Sequence, residues 1–156
     1  MRNAFAKKIT TLAKKNKKII LLSGDIGNRL FDDFKSKYST RFYNCGIAEQ
    51  NMVGVAAGLA IEGFLPILYT ITPFLTSRAF EQIRLDICYP KLKVVIVGTG
   101  AGLSYSRLGP THHSLEDLAL MQSLPNLDIF CPGDNIELEK ILPKIIQTSK
   151  PCYIRL

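Results

Sequence analysis

Six short runs suited to buried strands punctuate the chain: Ile19–Ser23, Phe42–Asn44, Leu65–Thr70, Val94–Val97, Leu127–Phe130 and Cys152–Leu156. They lack the polar alternation of a strand with one wet face. Strands of that kind are covered on both sides, as in a parallel sheet between helical layers. Between them lie segments at helical spacing: Arg2–Lys15, Ala48–Ile61, Leu75–Ile87, Leu115–Ser123 and Ile136–Gln147. Strand followed by helix, repeated along the chain, predicts an α/β fold with three layers, α/β/α, around a mostly parallel, doubly wound sheet of about six strands.

Local signals place the helix ends. Ser114 in "SLED" is set to cap a helix, with Asp117 three residues on as a capping-box variant. Asp134 or Asn135 is placed to cap the last helix, and Pro143 within it predicts a kink or a break. With Gly46 as N-cap, Glu49 falls at the third helical position, where a carboxylate can bond back to the cap and meets the positive end of the helix dipole. No repeat, low-complexity stretch or linker interrupts the chain. Its 156 residues are expected to form one domain, 1–156, with a sizeable core.

Composition narrows the class. Hydrophobic residues at 47% and charged residues at 21% give an ordinary globular balance. The longest apolar run, around Met52–Ile61, is too short to span a bilayer, and "MRNAFAKKITTLAKKNKK" has no apolar signal-peptide core. Cys45, Cys88, Cys131 and Cys152 show neither C-x-x-C nor a Cys/His pair at zinc spacing, which reads as reduced thiols in a cytoplasmic protein. Much of the net charge of +7 sits in Lys7, Lys8, Lys14, Lys15, Lys17 and Lys18. Such a run can grip nucleic acid, but no aromatic residues interleave with it, and Ala4, Phe5, Ile9, Leu12 and Ala13 supply a buried side. The lysines read as a solvated helix face, and neither nucleic acid nor membrane is expected as a partner.

In open parallel sheets ligands gather beyond the carboxyl ends of the strands. Four loops follow strands there: "SGDIGNR", "NCGIAEQ", "TITPF" and "GTGAGLSYSRLGPTHHS". Glu49 can be a plain helix cap, but caps are usually exposed. Gly54, Ala56, Ala57, Gly58 and Ala60 make the helix behind it one that another backbone can approach closely. The glycine-rich loop misses the dinucleotide fingerprint, whose last glycine would be Leu103 counted from Gly98, or Tyr105 counted from Gly100. It reads instead as backbone that comes close to a ligand or partner. His112 and His113 are the only histidines. They are either turn residues or imidazoles for proton transfer and substrate oxygens, and no third ligand makes them a zinc site. Phe80, Ile83 and Ile87 read as core. Phe74, at a loop-to-helix junction, is either core or a stacking surface, and Asp25 alone reads as an Asx-turn residue.

Three stretches together, "NCGIAEQNMVGVAAGLAIEGFLPIL", "FLTSRAFEQIRLDICYPKLKVVIVGTGAGL" and "GPTHHSLEDLALMQSLPNLDIFCPGD", resemble the pyrimidine-binding domain of transketolase-like thiamine-diphosphate enzymes. The likeness is greatest to the C-terminal subunit of a split transketolase. It implies the thiamine-diphosphate-binding fold and two-carbon (ketol) transfer between sugar-like substrates. In the family, the glutamate matching Glu49 bonds to the aminopyrimidine ring nitrogen and promotes loss of the thiazolium proton, which suits a dry site. Phe74 matches an aromatic that cradles the pyrimidine, and Arg78 matches an arginine of deoxyxylulose-phosphate synthases. Asp25 matches an aspartate near the thiazolium, and His112 a histidine that contacts substrate hydroxyls. The resemblance thus makes Glu49 and His112 the catalytic residues and Asp25, Glu49, Phe74 and Arg78 the cofactor contacts. His112, His113, Arg29 and Arg107 stand on the substrate side, the arginines as phosphate or carboxylate contacts. Gly46 to Gly58 would line a subunit contact.

Two departures touch substrate recognition: Gly100 stands where transketolases have a histidine, and Leu108 where they have an aspartate before G-P-T-H. The G-D-G…N diphosphate and metal motif is absent. Thiamine diphosphate and Mg²⁺ are therefore expected to be held mainly by a partner chain, in a homo-oligomer or heterotetramer, with no metal ligand from this chain. The alternatives are a beta subunit of a 2-oxo acid dehydrogenase, a deoxyxylulose-phosphate synthase-like enzyme and a non-catalytic pairing domain.

Overall fold

The computed structural model describes residues 1–156. Helix α1 (Arg2–Lys15) leads into β1 (Ile19–Ser23), α2 (Asp32–Lys37), β2 (Phe42–Asn44), α3 (Glu49–Ile61) and β3 (Leu65–Ile71). Then follow α4 (Thr72–Thr76), α5 (Phe80–Gln82) with a π-helical turn over Ile83–Cys88, β4 (Val95–Thr99), α6 (Asp117–Gln122), β5 (Asp128–Phe130), α7 (Asn135–Ile145) and β6 (Cys152–Arg155). The six strands are all parallel, in the order β2-β1-β3-β4-β6-β5. No helix is long and apolar enough to cross a membrane.

Strand side chains alternate between two cores. Leu21, Ile67, Tyr69, Val97 and Ile154 pack with Phe5 and Ile9 of α1, Phe34 of α2 and Leu138 and Leu142 of α7. Leu22, Leu68, Ile96 and Tyr153 pack with Met52 and Ala56 of α3, Leu75 of α4 and Met121 of α6. Right-handed crossovers account for the sorting. The chain moves one way along the sheet from β1 to β2 and from β5 to β6, which places α2 and α7 on one face. It moves the other way in the remaining steps, which places α3 to α6 opposite. The direction reverses between β1 and β3, and this switch point opens a crevice at their carboxyl ends.

Four local expectations are revised by the structure. The segment 75–87 is not one helix: Ser77 and Arg78 both donate to Pro73 O at 3.1 and 3.2 Å, ending α4 before α5 begins. Ser114 caps nothing. Its backbone pairs both ways with Gly102, at 2.8 and 3.0 Å, and α6 starts at Asp117 with Glu116 as N-cap. Ala48, not Gly46, is the N-cap of α3, so Glu49 is its first residue. Pro143 does not break α7, which ends two residues later at Ile145, so little helix remains to be disturbed. Asp134 does cap α7, its Oδ1 accepting from Glu137 N at 2.7 Å while Glu137 Oε2 accepts from Gly133 N.

Cys88 and Cys152 are buried, and burial pushes both thiols up to about 12. The thiolate is the reactive form. A raised value therefore leaves only about one thiol in ten thousand ionised at pH 8. An aromatic disulfide reagent at pH 8 is expected to modify exposed Cys131 first and half-buried Cys45 more slowly, with Cys88 and Cys152 reacting only after denaturant is added. Four equivalents consumed at once in native buffer would contradict this packing.

Candidate functional site

Glu49 stands at the switch point. It comes from the head of α3, yet it is 1% exposed. Its Oε2 accepts from Arg78 Nη1 at 2.8 Å. Its Oε1 is buried and has no hydrogen-bond partner. An orphaned buried oxygen costs about 1–3 kcal/mol, so this atom is set up to receive a donor. Gly24, just after β1, explains how the carboxylate fits: a Cβ there would lie 2.9 Å from Thr70 Oγ1 and 3.4 Å from Glu49 Oε1.

Phe74, the last aromatic before α4 ends, stands beside the ion pair. The Arg78 guanidinium lies 4.3 Å from its ring centroid. Gln50 Nε2 ties Arg78 O to α3 at 3.0 Å. His112 meets the Phe74 ring edge-on at 5.1 Å. It arrives on a loop, 103–113, whose base is closed by the Gly102–Ser114 bridge. His112 Nδ1 is 2.9 Å from Thr111 Oγ1, which leaves Nε2 without a protein partner. His113 Nε2 lies 3.1 Å from Ser106 O and helps fold the same loop, and His113, not His112, is among the residues of the groove beside Phe74 and Arg78. Pro73, Phe74, Ser77, Arg78, Thr111 and His113 line an open groove of about 480 Å³.

Asp25 has φ +54, and Asn44 holds it there: Asn44 Nδ2 donates to Asp25 Oδ1 at 2.9 Å, and Asn44 Oδ1 accepts from Asp25 N and Gly46 N. The loops after β1 and β2 are thereby locked together on the site's edge. Arg29 lines a neighbouring cleft with Arg2, Asn28 and Asn135. Arg107 is exposed and makes no side-chain hydrogen bond or ion pair. The structure therefore gathers Glu49, Phe74, Arg78 and His112, with Asp25 on the adjoining loop, and leaves the two arginines to the side. Sequence reasoning passed over Gly24, Thr70, Asn44 and Tyr105. A glycine directly after a strand was the one signal available for Gly24.

Residues 1–156 match a family model, described as the transketolase pyrimidine-binding domain, along their whole length. The chain belongs to the transketolase pyrimidine-binding family. It is 34% identical over 155 residues to a subunit of the apulose-4-phosphate transketolase of Phocaeicola vulgatus, covering 99% of this chain and 50% of that one. The corresponding protein of Actinobacillus succinogenes is 42% identical over 123 residues, 79% of this chain and 40% of the relative. A split-gene transketolase solved as an inactive beta4 tetramer superposes with a TM-score of 0.87 at 43% identity, over 99% of this chain and 50% of that one. The chain thus spans about half the length of the curated relatives it matches.

Membership of the transketolase family implies thiamine diphosphate. The residues present suit its aminopyrimidine. An unpartnered buried oxygen of Glu49 can meet a ring N–H, an aromatic side chain stands beside it, and a glycine leaves the room. No group of three His, Cys, Asp or Glu side chains converges to hold a metal ion.

Proposed function

We propose that this chain is the pyrimidine-binding component of a split transketolase, transferring a two-carbon ketol unit between sugar-like substrates. The observation that carries the reading is the buried, half-paired carboxylate of Glu49 at the switch point. In this reading Glu49 Oε1, buried and unpartnered, would hold a proton toward the pyrimidine nitrogen, and burial would strengthen that bond. Phe74 and Arg78, which stand beside Glu49, would hold the ring, and Asp25 would face it from the loop after β1. Thiamine diphosphate would supply, when bound, an electron sink for the transferred two-carbon unit. His112, with Nδ1 steadied by Thr111, turns Nε2 to a substrate hydroxyl. His113, which lines the groove beside Phe74 and Arg78, stands with it on the substrate side.

The diphosphate and Mg²⁺ are assigned to a partner chain. Two relatives are themselves named as subunits, and the similar beta4 tetramer is described as inactive. The docking face is the outer side of α3 with the turn that leads into it: Ile47 in that turn is 75% and Ile61 at the helix end 70% exposed, and a Cβ on Gly54 or Gly58 would meet nothing within 4 Å. Such exposed apolar area beside open backbone suits close approach by a second chain. Residues 1–156 would act as one domain in that assembly.

The test is cofactor binding with Mg²⁺, followed by calorimetry and near-UV dichroism, for the chain alone and for the chain co-expressed with the protein encoded beside it. Binding confined to the pair is expected. Dinucleotide binding by the chain, or thiamine diphosphate held by the partner with no change on adding this chain, would overturn the proposal.

A further inference from the structure

The two carboxylates of the site, Asp25 and Glu49, come from different loops, and one uncharged side chain ties those loops together. Asn44 is the last residue of β2. Its Oδ1 accepts from Asp25 N at 3.2 Å and from Gly46 N at 2.9 Å, and its Nδ2 donates to Asp25 Oδ1 at 2.9 Å. One carboxamide thus grips the loop after β1 with both of its polar atoms, and the turn that leads to Glu49 with its oxygen. The backbone behind these loops is already secured. Cys45 N donates to Ser23 O at 2.8 Å, and Ser23 Oγ donates to Ile26 O at 2.7 Å. The Asp25 carboxylate is not. Asp25 is exposed, sits at φ +54, forms no ion pair, and has no side-chain hydrogen bond other than the one from Asn44.

The residue type decides what this contact does. The bond from Gly46 N to Asn44 Oδ1 is an Asx turn, which an aspartate would make equally well. The donation from Nδ2 to Asp25 is not needed by the turn, and only an amide can make it while still accepting from the two backbone groups. A carboxylate at position 44 would instead set two like charges against each other. The amide therefore orients Asp25 without neutralising it: Oδ1 is held, and Oδ2 is left without a protein partner.

We propose that Asn44 is a positioning residue for the cofactor. It sets the Asp25 carboxylate for contact with thiamine diphosphate and fixes the loop of Asp25 against the turn that carries Glu49. The assignment rests on the ketol-transfer reading for its ligand, but not for its geometry. Two variants, studied in the complex of this chain with its partner, separate the turn from the positioning. Asn44→Asp keeps both acceptor bonds and loses the donation, and Asn44→Ala loses all three. Exchange of the Asp25 and Gly46 backbone amides is expected to stay slow in Asn44→Asp and to accelerate about fivefold or more in Asn44→Ala.

Cofactor affinity then decides. The dissociation constant for thiamine diphosphate with Mg²⁺ is expected to rise about tenfold or more in both variants, the worth of a hydrogen bond to a charged group, with KM for an aldose acceptor unchanged. When Asp25→Ala is already present, Asn44→Asp should add less than about twofold, because Asn44 acts through that carboxylate. Wild-type affinity in Asn44→Asp overturns the proposal and leaves Asn44 as a turn residue. An equal loss with and without the Asp25 side chain overturns it as well. Failure of the unaltered complex to bind thiamine diphosphate sinks the ketol-transfer reading, and this assignment with it. Binding by the unaltered complex that these variants do not weaken sinks the assignment alone.

Discussion

Glu49→Gln is expected to lower thiamine-dependent turnover of the assembled enzyme by about 10²–10⁴-fold, the usual worth of a positioned acid–base group. Its fold should be unchanged. Glutamine has the same shape, and its amide oxygen can still accept from Arg78 Nη1, the one bond that Glu49 makes within the protein at 2.8 Å. The other oxygen has no partner to lose. Removing a charge that is 1% exposed and only half paired should leave stability unaltered or slightly raised. What the amide cannot do is share a proton with a ring nitrogen. The expected result is therefore a split: unfolding midpoint and dichroism of the protein preserved, turnover lost. Near-normal turnover would show that Glu49 is a buried structural carboxylate and remove the main support for the proposed function. Loss of fold together with turnover would make the variant uninformative, so Arg78→Ala is the companion. It strands the Glu49 carboxylate and is expected to destabilise by about 1–3 kcal/mol, at the low end because the Arg78 side chain is 43% exposed and water can reach its place.

The sheet was legible in the sequence because its inner strands are buried on both faces. A run such as Leu65–Ile71, buried at every residue, leaves little room for polar alternation, and its length excludes a full helix. Glu49 was legible for the opposite reason, as a charge at the head of a helix of small residues. Where reading failed, the deciding partner lay far along the chain. Arg78 leaves helical geometry while bonding a carboxylate 29 residues away, so the apolar spacing of 75–87 could not show the break. Ser114 has the local form of a cap, but its backbone is claimed by Gly102. Gly100 looked like the loss of a substrate contact. Its meaning depends on Tyr105, which folds back over it and whose ring holds the place of a Cβ there. The family resemblance supplied roles for Phe74 and His112. Only the structure shows those two rings in contact.

Asp117→Ala is expected to cost about 2–3 kcal/mol of stability, a fall of roughly 5–10 °C in Tm for a chain of this size. Asp117 is fully buried, and its Oδ2 accepts from Tyr153 OH at 2.9 Å and Arg155 Nε at 2.8 Å. Alanine leaves a buried hydroxyl without that acceptor and a cation without its counter-charge. A wholly buried pair broken in this way costs more, but the Arg155 side chain is 31% exposed and can turn partly to water. Asp117→Asn, which keeps an acceptor oxygen, should cost about half as much. The same carboxylate stands behind the His112 loop. Asp117 follows Ser114 by three residues, and Arg155 Nη2 lies 3.7 Å from where a Cβ on Gly102 would be, so the pair backs the bridge that closes residues 103–113. Amide exchange at Gly102 and Ser114 should therefore accelerate in Asp117→Ala beyond the change in global stability, while exchange in β1 and β3 follows global stability alone. A uniform change at all four places would show that Asp117 supports the core without holding the loop, and an unchanged Tm would show that the buried pair carries no stability at all.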